Sequence, residues 1–385
     1  MSTPLLEGPE KARRNLKIRV YRLETPHVVF GEDYAEYFDG LSHAGAAKIF
    51  EGPLPVMNGR KFEYTDKSVK TGTVYAYWVS STRGDPPAGP LPVKVRDPEV
   101  WWPAEKLQAR VAALAKVHPH LVKLRACGRT VRGRRLTGIV AGVTGPTLAL
   151  VGAVHPGESG PELMVPALER LLEEDRALLA KVRVAALPSV CLDERERLAQ
   201  GNPWYLRLNA NGVDLNRNFD ADWDRVEKAY GYISSDPDAL TYRGRAAGSE
   251  PETAAVATFL HKADPAAVFS YHWLASIAGC GFLAPKIADG DKEYDARARA
   301  LVTAYTRGFQ GDRRKTDRPR YLCTVGSLPT WCYRHGGIPC FDVEGSRKRP
   351  VEESAATDKT TRTMLHEYQQ RHYRGIVSVL ELLAQ

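Results

Sequence analysis

The run Val154-His155-Pro156-Gly157-Glu158 follows directly on the apolar stretch from Thr147 to Val154. It sets an imidazole and a carboxylate where a buried strand would deliver the chain to the surface, and His with Glu is a donor pair suited to zinc. H-x-x-E is short enough to arise about once by chance in a chain with ten histidines. Its meaning depends on the residues that accompany it.

Three further segments carry compatible chemistry. Arg207 to Phe219 (RLNANGVDLNRNF) is dense in groups that recognise carboxylates. Ala267 to His272 is a short apolar β-like run that ends in a histidine, and Gly337 to Glu344 is another that ends in a glutamate. A reactive side chain that follows a strand sits at a sheet edge, so these segments converge on one edge of a single α/β sheet.

HPGE, NGVDLNRNF, the strand-terminal His272 and the strand-terminal Glu344, in that order, resemble the zinc carboxypeptidases of the M14 family. Cys127 to Leu136 resembles the segment that leads into that family's sheet, and the resemblance covers residues 100 to 385. It implies a mixed, eight-stranded-type sheet flanked by helices. It also implies one Zn2+ per chain, held by His155, Glu158 and His272, with a fourth position left for water. Asp214 matches the residue that hydrogen-bonds the first histidine and fixes its tautomer. Glu344 matches the general base, which takes a proton from water activated at the metal and hands it to the leaving amine. Arg207, nine residues before Asn216, matches the arginine that stabilises the oxyanion. Asn216 and Arg217 match the pair that grips a substrate's C-terminal carboxylate, a task to which a planar guanidinium is suited.

Tyr321 precedes Gly326-Ser327 by five residues, as the family's mobile substrate-capping tyrosine does, but one extra residue stands before Trp331. A packed loop tyrosine is the other reading. Leu328 or Pro329 then falls at the specificity position and gives an apolar rim. Two departures bear on substrate. Asp342 replaces a small hydroxyl residue two places before Glu344, so either a carboxylate lines the side-chain pocket and selects a basic or amine-bearing C-terminal residue, or Asp342 pairs internally with an arginine. The family's N-P-D-G segment is absent near Pro188 to Asn202.

The implied activity is hydrolysis of the C-terminal peptide bond of a peptide with a free carboxylate, releasing one amino acid. The patterns G-S-x-x-x-W (Gly326 to Trp331) and I-P-x-x-x-x-E (Ile338 to Glu344) also resemble the murein peptide amidase branch. That amidase, or an N-acyl amino acid deacylase on the same fold, is the alternative. An inactive binding protein is disfavoured because all three ligands and Glu344 are retained.

The elements that must position these residues follow from the pattern around them. Leu136 to Val154 is broken by Gly142, Gly145 and Pro146, so it predicts strands at 136–143 and 147–154 rather than a membrane span. Helices are predicted where Leu107, Val111, Leu114 and Ala115 share a face before His118-Pro119, where Met164, Leu168, Leu171 and Leu172 do, and along a last stripe from Leu365 to Leu383. Ser249-Glu250-Pro251-Glu252 reads as a capping box that opens another helix. Alternating strands and helices of this kind predict a mixed α/β domain over 100–385.

Residues 15–97 differ in texture. Gly72 to Val79 alternates like a sandwich strand and, with Tyr64 and Asp66 ahead of it, resembles a fibronectin type III strand; Gly84 to Pro92, with four prolines, closes the module. Such a sandwich offers a surface for protein contact. The net charge of +8 lies almost wholly after residue 100, but its basic residues are not interleaved with aromatics in a nucleic-acid module. The run Arg313 to Arg320 reads as a solvated loop. With no apolar leader in Met1 to Arg22 and six cysteines in neither C-x-x-C pairs nor zinc-ribbon spacing, a cytoplasmic protein with free thiols is expected.

Overall fold

The structure is a computed structural model of the 385-residue chain. It describes residues 17–25, 34–53, 56–57, 61–62, 64–158, 160–204, 206–225, 233–272, 281–309, 318–344 and 362–385. Cys280 and residues 313–317 of the basic run lie outside these, as do residues 15–16 at the start of the expected sandwich. The chain divides into two compact units, one running up to Asp97 and including Gly201–Trp204, the other beginning at Pro98.

The first unit holds strands β1 (Lys17–Thr25), β2 (Ala47–Pro53), β3 (Val56–Met57), β4 (Lys61–Phe62), β5 (Val74–Ser81) and β6 (Ala88–Lys94). Its main sheet is antiparallel, in the order β2-β1-β5-β6, and its small core gathers Phe38, Val74, Ala76 and Trp78. The proline-rich segment does more than close the module, because Pro90 and Pro92 lie inside β6. Proline cannot donate to a ladder, and β6 is an edge strand, where that loss is tolerated. Gly201–Trp204 belongs to this unit: Lys94 N–H donates to Gly201 O at 2.8 Å, and the Trp204 and Phe38 rings lie 5.8 Å apart.

The second unit is built on an eight-stranded mixed sheet. Its strands are β7 (Val122–Arg129), β8 (Arg135–Ala141), β9 (Thr147–Gly152), β10 (Arg183–Leu187), β11 (Pro265–Tyr271), β12 (Gly281–Pro285), β13 (Arg320–Cys323) and β14 (Cys340–Glu344), in the order β13-β12-β14-β11-β9-β10-β8-β7. The middle four, β14, β11, β9 and β10, run parallel. Leu148, Ala149, Leu150 and Val151 of β9 have no exposed surface, as expected of a strand covered on both faces. On the β14 side of the sheet Phe269 meets Phe341 at 5.4 Å, Phe282 at 6.1 Å and Tyr305 at 5.2 Å.

The expected helices form at Ala104–Val117, Pro161–Glu173, Pro251–Ala263 and Arg362–Leu383, joined by Lys292–Phe309. The capping box does not form. Glu250 occupies the N-cap of Pro251–Ala263 with no side-chain cap bond, while Glu252 accepts from Val131 N–H at 2.9 Å and from Asn209 at 3.1 Å. Tertiary donors have claimed the carboxylate that the local motif would use. Among the described residues no helix is long and apolar enough to cross a membrane, and the five described cysteines are free and buried.

His372 on the last helix is enclosed by the rings of Tyr271, Tyr305, Phe309 and Tyr368, and it hydrogen-bonds Tyr305. Burial pushes its pKa down to about 3. A histidine depressed in the folded state stabilises above its unfolded pKa, near 6.5, and that contribution is lost as pH falls from there towards about 3. In metal-free protein, His372→Phe should flatten the fall in unfolding free energy across this window by about 1.4 kcal/mol per pH unit. Urea titrations at several pH values measure that slope, and an unchanged slope would contradict the burial of a neutral imidazole.

Candidate active site

β9 pairs in parallel with β10 on one side and β11 on the other, so the C-terminal ends of these strands lie level. The chain then leaves β9 through Ala153, which has a φ of +46°, and turns across His155–Glu158 into the helix Pro161–Glu173. Two glycines permit the close packing of this loop. A Cβ on Gly152 would lie 2.5 Å from the Gly160 Cα, and one on Gly160 would lie 2.3 Å from the Pro188 carbonyl oxygen.

The loop is held from beneath by Arg195. Its Nη1 donates to the carbonyls of Pro156 at 2.9 Å and Glu158 at 2.8 Å, its Nη2 donates to Glu162, and its guanidinium lies 4.6 Å from the Trp101 ring. Glu162 also accepts from Trp102 N–H at 2.9 Å. Both charges are buried. The sequence gives no sign of this support, since Arg195 and Glu162 stand 33 residues apart on different helices.

Three donors converge above the loop. Glu158 Oε2 lies 2.9 Å from His155 Nδ1 and 2.9 Å from His272 Nδ1, and the two Nδ1 atoms are 3.3 Å apart. This is the group among the described residues whose ligand atoms are close enough, all within 4.8 Å, to hold a metal ion. Two imidazole nitrogens and one carboxylate oxygen are the donor set of a catalytic zinc site. Burial pushes the Glu158 carboxyl up, but His155 and His272 outweigh it and hold the pKa down at about 2.

Asp214 stands behind His155, with Oδ1 3.0 Å from Nε2. Its other oxygen accepts from Arg207 Nε at 3.0 Å and Nη2 at 2.7 Å. Burial would raise the Asp214 pKa, yet Arg207 and His155 lower it well below the carboxylate range. Asp214 also caps the turn Leu215–Arg217 by accepting from Asn216 N–H at 3.0 Å, which brings Asn216 and Arg217 alongside the site.

His272 follows β11 directly, and Glu344 is the last residue of β14. The strands are parallel with Ser270 opposite Asp342 and Tyr271 opposite Val343, and His272 N–H donates to Val343 O at 3.1 Å. His272 and Glu344 therefore leave adjacent strand ends together. Burial lowers the His272 pKa, but Asp342 and Glu158 carry it well above the ordinary value.

Asp342, read from the sequence either as a pocket carboxylate or as internally paired, is buried beside the second histidine. It is 4% exposed, accepts from Asn216 Nδ2 at 2.9 Å and stands 3.1 Å from His272 Nε2. Its Oδ2 takes the Asn216 amide, while Oδ1 makes an ion-pair contact with His272 and accepts no hydrogen bond. Asn216 spends its amide inside as well, since Oδ1 accepts from Leu328 N–H at 2.9 Å. Leu328 is fully buried and gives its N–H to that oxygen. Arg217 is 8% exposed and donates from Nη1 to Asn216 O at 2.7 Å. Tyr321, half-buried on β13, donates its hydroxyl to Asp295 at 2.7 Å.

The sequence model of the zinc carboxypeptidases (Peptidase_M14) matches residues 107–363. The chain belongs to the zinc carboxypeptidase family. It is similar to murein peptide amidase A of Escherichia coli K12, 47% identical over 70 residues that cover 17% of this chain and 29% of that protein. It is also similar to the carboxypeptidase N catalytic chain of Homo sapiens, 39% identical over 122 residues that cover 26% of each. The chain thus spans under a third of the length of either relative. Among solved structures, carboxypeptidase A from Helicoverpa armigera superposes with a TM-score of 0.60 at 17% identity, covering 75% of each chain. Bovine thrombin-activatable fibrinolysis inhibitor does so with a TM-score of 0.57 at 18% identity, covering 74% of this chain and 98% of that one. The two solved structures, at under 25% identity, show the fold.

The buried pair beneath the ligand loop yields a prediction. Arg195→Met strands the Glu162 charge and should cost about 3–5 kcal/mol of stability, while Arg195→Met with Glu162→Gln should recover most of it. Denaturant unfolding of the two variants measures the difference. Equal losses would show that Arg195 acts through its bonds to the loop carbonyls and its packing, not by neutralising Glu162.

Proposed function

We propose that the protein is a zinc-dependent carboxypeptidase that hydrolyses the C-terminal peptide bond of a peptide and releases a single amino acid. The observation that carries this reading is the convergence of His155 Nδ1, His272 Nδ1 and Glu158 Oε2 beside the strand end that bears Glu344. Zinc held by those three donors, one ion per chain, supplies Lewis acidity that polarises the scissile carbonyl and lowers the pKa of water.

The chain's own groups do the rest. Glu344, half-buried at the open end of β14, takes a proton from the attacking water and delivers it to the departing amine. Arg207, with a side chain 21% exposed and tied to Asp214, answers the negative charge that grows on the carbonyl oxygen. Arg217 recognises the substrate's terminal carboxylate, and Asn216 shapes the site around it, since its amide already bonds Asp342 and Leu328. Tyr321 closes over the substrate after exchanging its bond to Asp295. The N-terminal unit, read as a fibronectin type III-like sandwich, offers a surface for protein contact, and the protein acts in the cytoplasm on peptides, with neither nucleic acid nor membrane as partner.

A second reading has its own support. The 47% identity to murein peptide amidase A over 70 residues favours an amide bond of a murein tripeptide as the target, with the same metal and the same base. Deacylation of an N-acyl amino acid would use the same groups.

Peptides that differ only in the C-terminal residue, together with a murein tripeptide, should be assayed with zinc and after chelation. Chelator-sensitive release of one terminal residue is the expected result; cleavage of the murein amide alone would overturn the carboxypeptidase reading in favour of the amidase. Glu344→Gln should lower kcat by about 10²–10⁴-fold with zinc content unchanged. Full turnover in that variant would remove Glu344 from the mechanism.

A further inference from the structure

Both histidines of the site face a buried carboxylate, His155 through a hydrogen bond and His272 through an ion-pair contact in which Asp342 Oδ1 accepts no hydrogen bond. Each turns Nδ1 towards Glu158 and turns Nε2 towards a buried carboxylate: Asp214 at 3.0 Å from His155, and Asp342 at 3.1 Å from His272. The exposures of the two carboxylates are 0% and 4%. Asn216 joins them, donating its backbone N–H to Asp214 Oδ1 and its side-chain amide to Asp342 Oδ2. Cys323 Sγ lies 3.5 Å from that same oxygen.

We propose that Asp342 is a positioning residue for the metal, fixing His272 in the tautomer that leaves Nδ1 open to zinc. The inference rests on the zinc reading given above. An ionised carboxylate only accepts, so a ring nitrogen facing it must carry the hydrogen, and the opposite nitrogen is then the one with a lone pair for a metal. Ser270 Oγ also lies 3.1 Å from His272 Nε2, but a hydroxyl can donate or accept and so does not dictate the tautomer. The register of β11 on β14 brings His272 and Asp342 to the same strand ends. Ser270 sits opposite Asp342, and His272, two residues after Ser270 and one past the end of β11, follows on the same face. Asp342 thereby does for the second histidine what Asp214 does for the first, and the bridging amide of Asn216 ties the two supports into one network.

The test is the zinc affinity of the full chain, measured by competition with a chromogenic chelator at neutral pH for the unaltered protein, Asp342→Asn, Asp214→Asn and Ser270→Ala. Asp342→Asn should weaken zinc by about 10–100-fold, in the range of Asp214→Asn, while Ser270→Ala changes it little. The ratio of turnover on Lys-ended and Leu-ended peptides, read at saturating zinc, should stay the same in Asp342→Asn. A folded Asp342→Asn protein that binds zinc like the unaltered chain overturns the proposal, as does a selective loss on Lys-ended peptides with zinc affinity intact. If the unaltered chain takes up no zinc, the metal reading itself fails. Should Asp342→Asn not fold, proton NMR of the unaltered zinc-loaded protein decides: a slowly exchanging, far-downfield His272 Nε2–H supports the proposal, and its absence overturns it.

Discussion

An imidazole can bind a metal through one nitrogen only if the other is satisfied elsewhere. In this chain that requirement is met deep in the protein. His155 and His272 are each 2% exposed, and both turn Nδ1 inward onto Glu158 Oε2. A cluster of this kind collapses or repels unless the surrounding charges balance it, and here Asp214, Asp342, Arg207 and Arg217 surround the two rings. The direction of each pKa shift expresses this balance. Burial opposes charge at Glu158 and Asp214 alike, yet the groups that face them bring both pKa values down.

The sheet converts this electrostatic demand into geometry. Parallel strands bring three chain segments to one edge at the same level, and each contributes a functional residue just where its ladder ends: the His155 loop after β9, His272 after β11 and Glu344 at the end of β14. The aromatic packing of Phe269, Phe282, Phe341 and Tyr305 fixes β11, β12 and β14 against the helix Lys292–Phe309. The ligand loop needs separate support because it has left the sheet. Arg195 provides it by bonding two of the loop's carbonyls and neutralising Glu162 below.

What could be read from the residues alone follows from how local each signal is. His155, His272 and Glu344 are legible because an apolar run ends at each of them and Glu158 because it stands three residues after His155, and the sheet and flanking helices are legible from the same runs. The shifted strand ends, Ala141 instead of 143 and Gly152 instead of 154, reflect where ladder bonds give way to turns. Asp342 is visible as a departure in type, but its partner depends on the register between β11 and β14, which no spacing records. The same is true of Arg195 with Glu162. Ser249 to Glu252 has the form of a capping box, yet Asn209 and Val131, distant in sequence, compete successfully for its carboxylate.

Anomalous diffraction at the zinc edge, from crystals of the zinc-loaded protein, tests the central claim most directly. A single peak bonded to His155 Nδ1, His272 Nδ1 and a Glu158 oxygen, at about 2.0–2.2 Å from each, is the predicted result. Zinc bound through either Nε2, or located away from these three side chains, would contradict it.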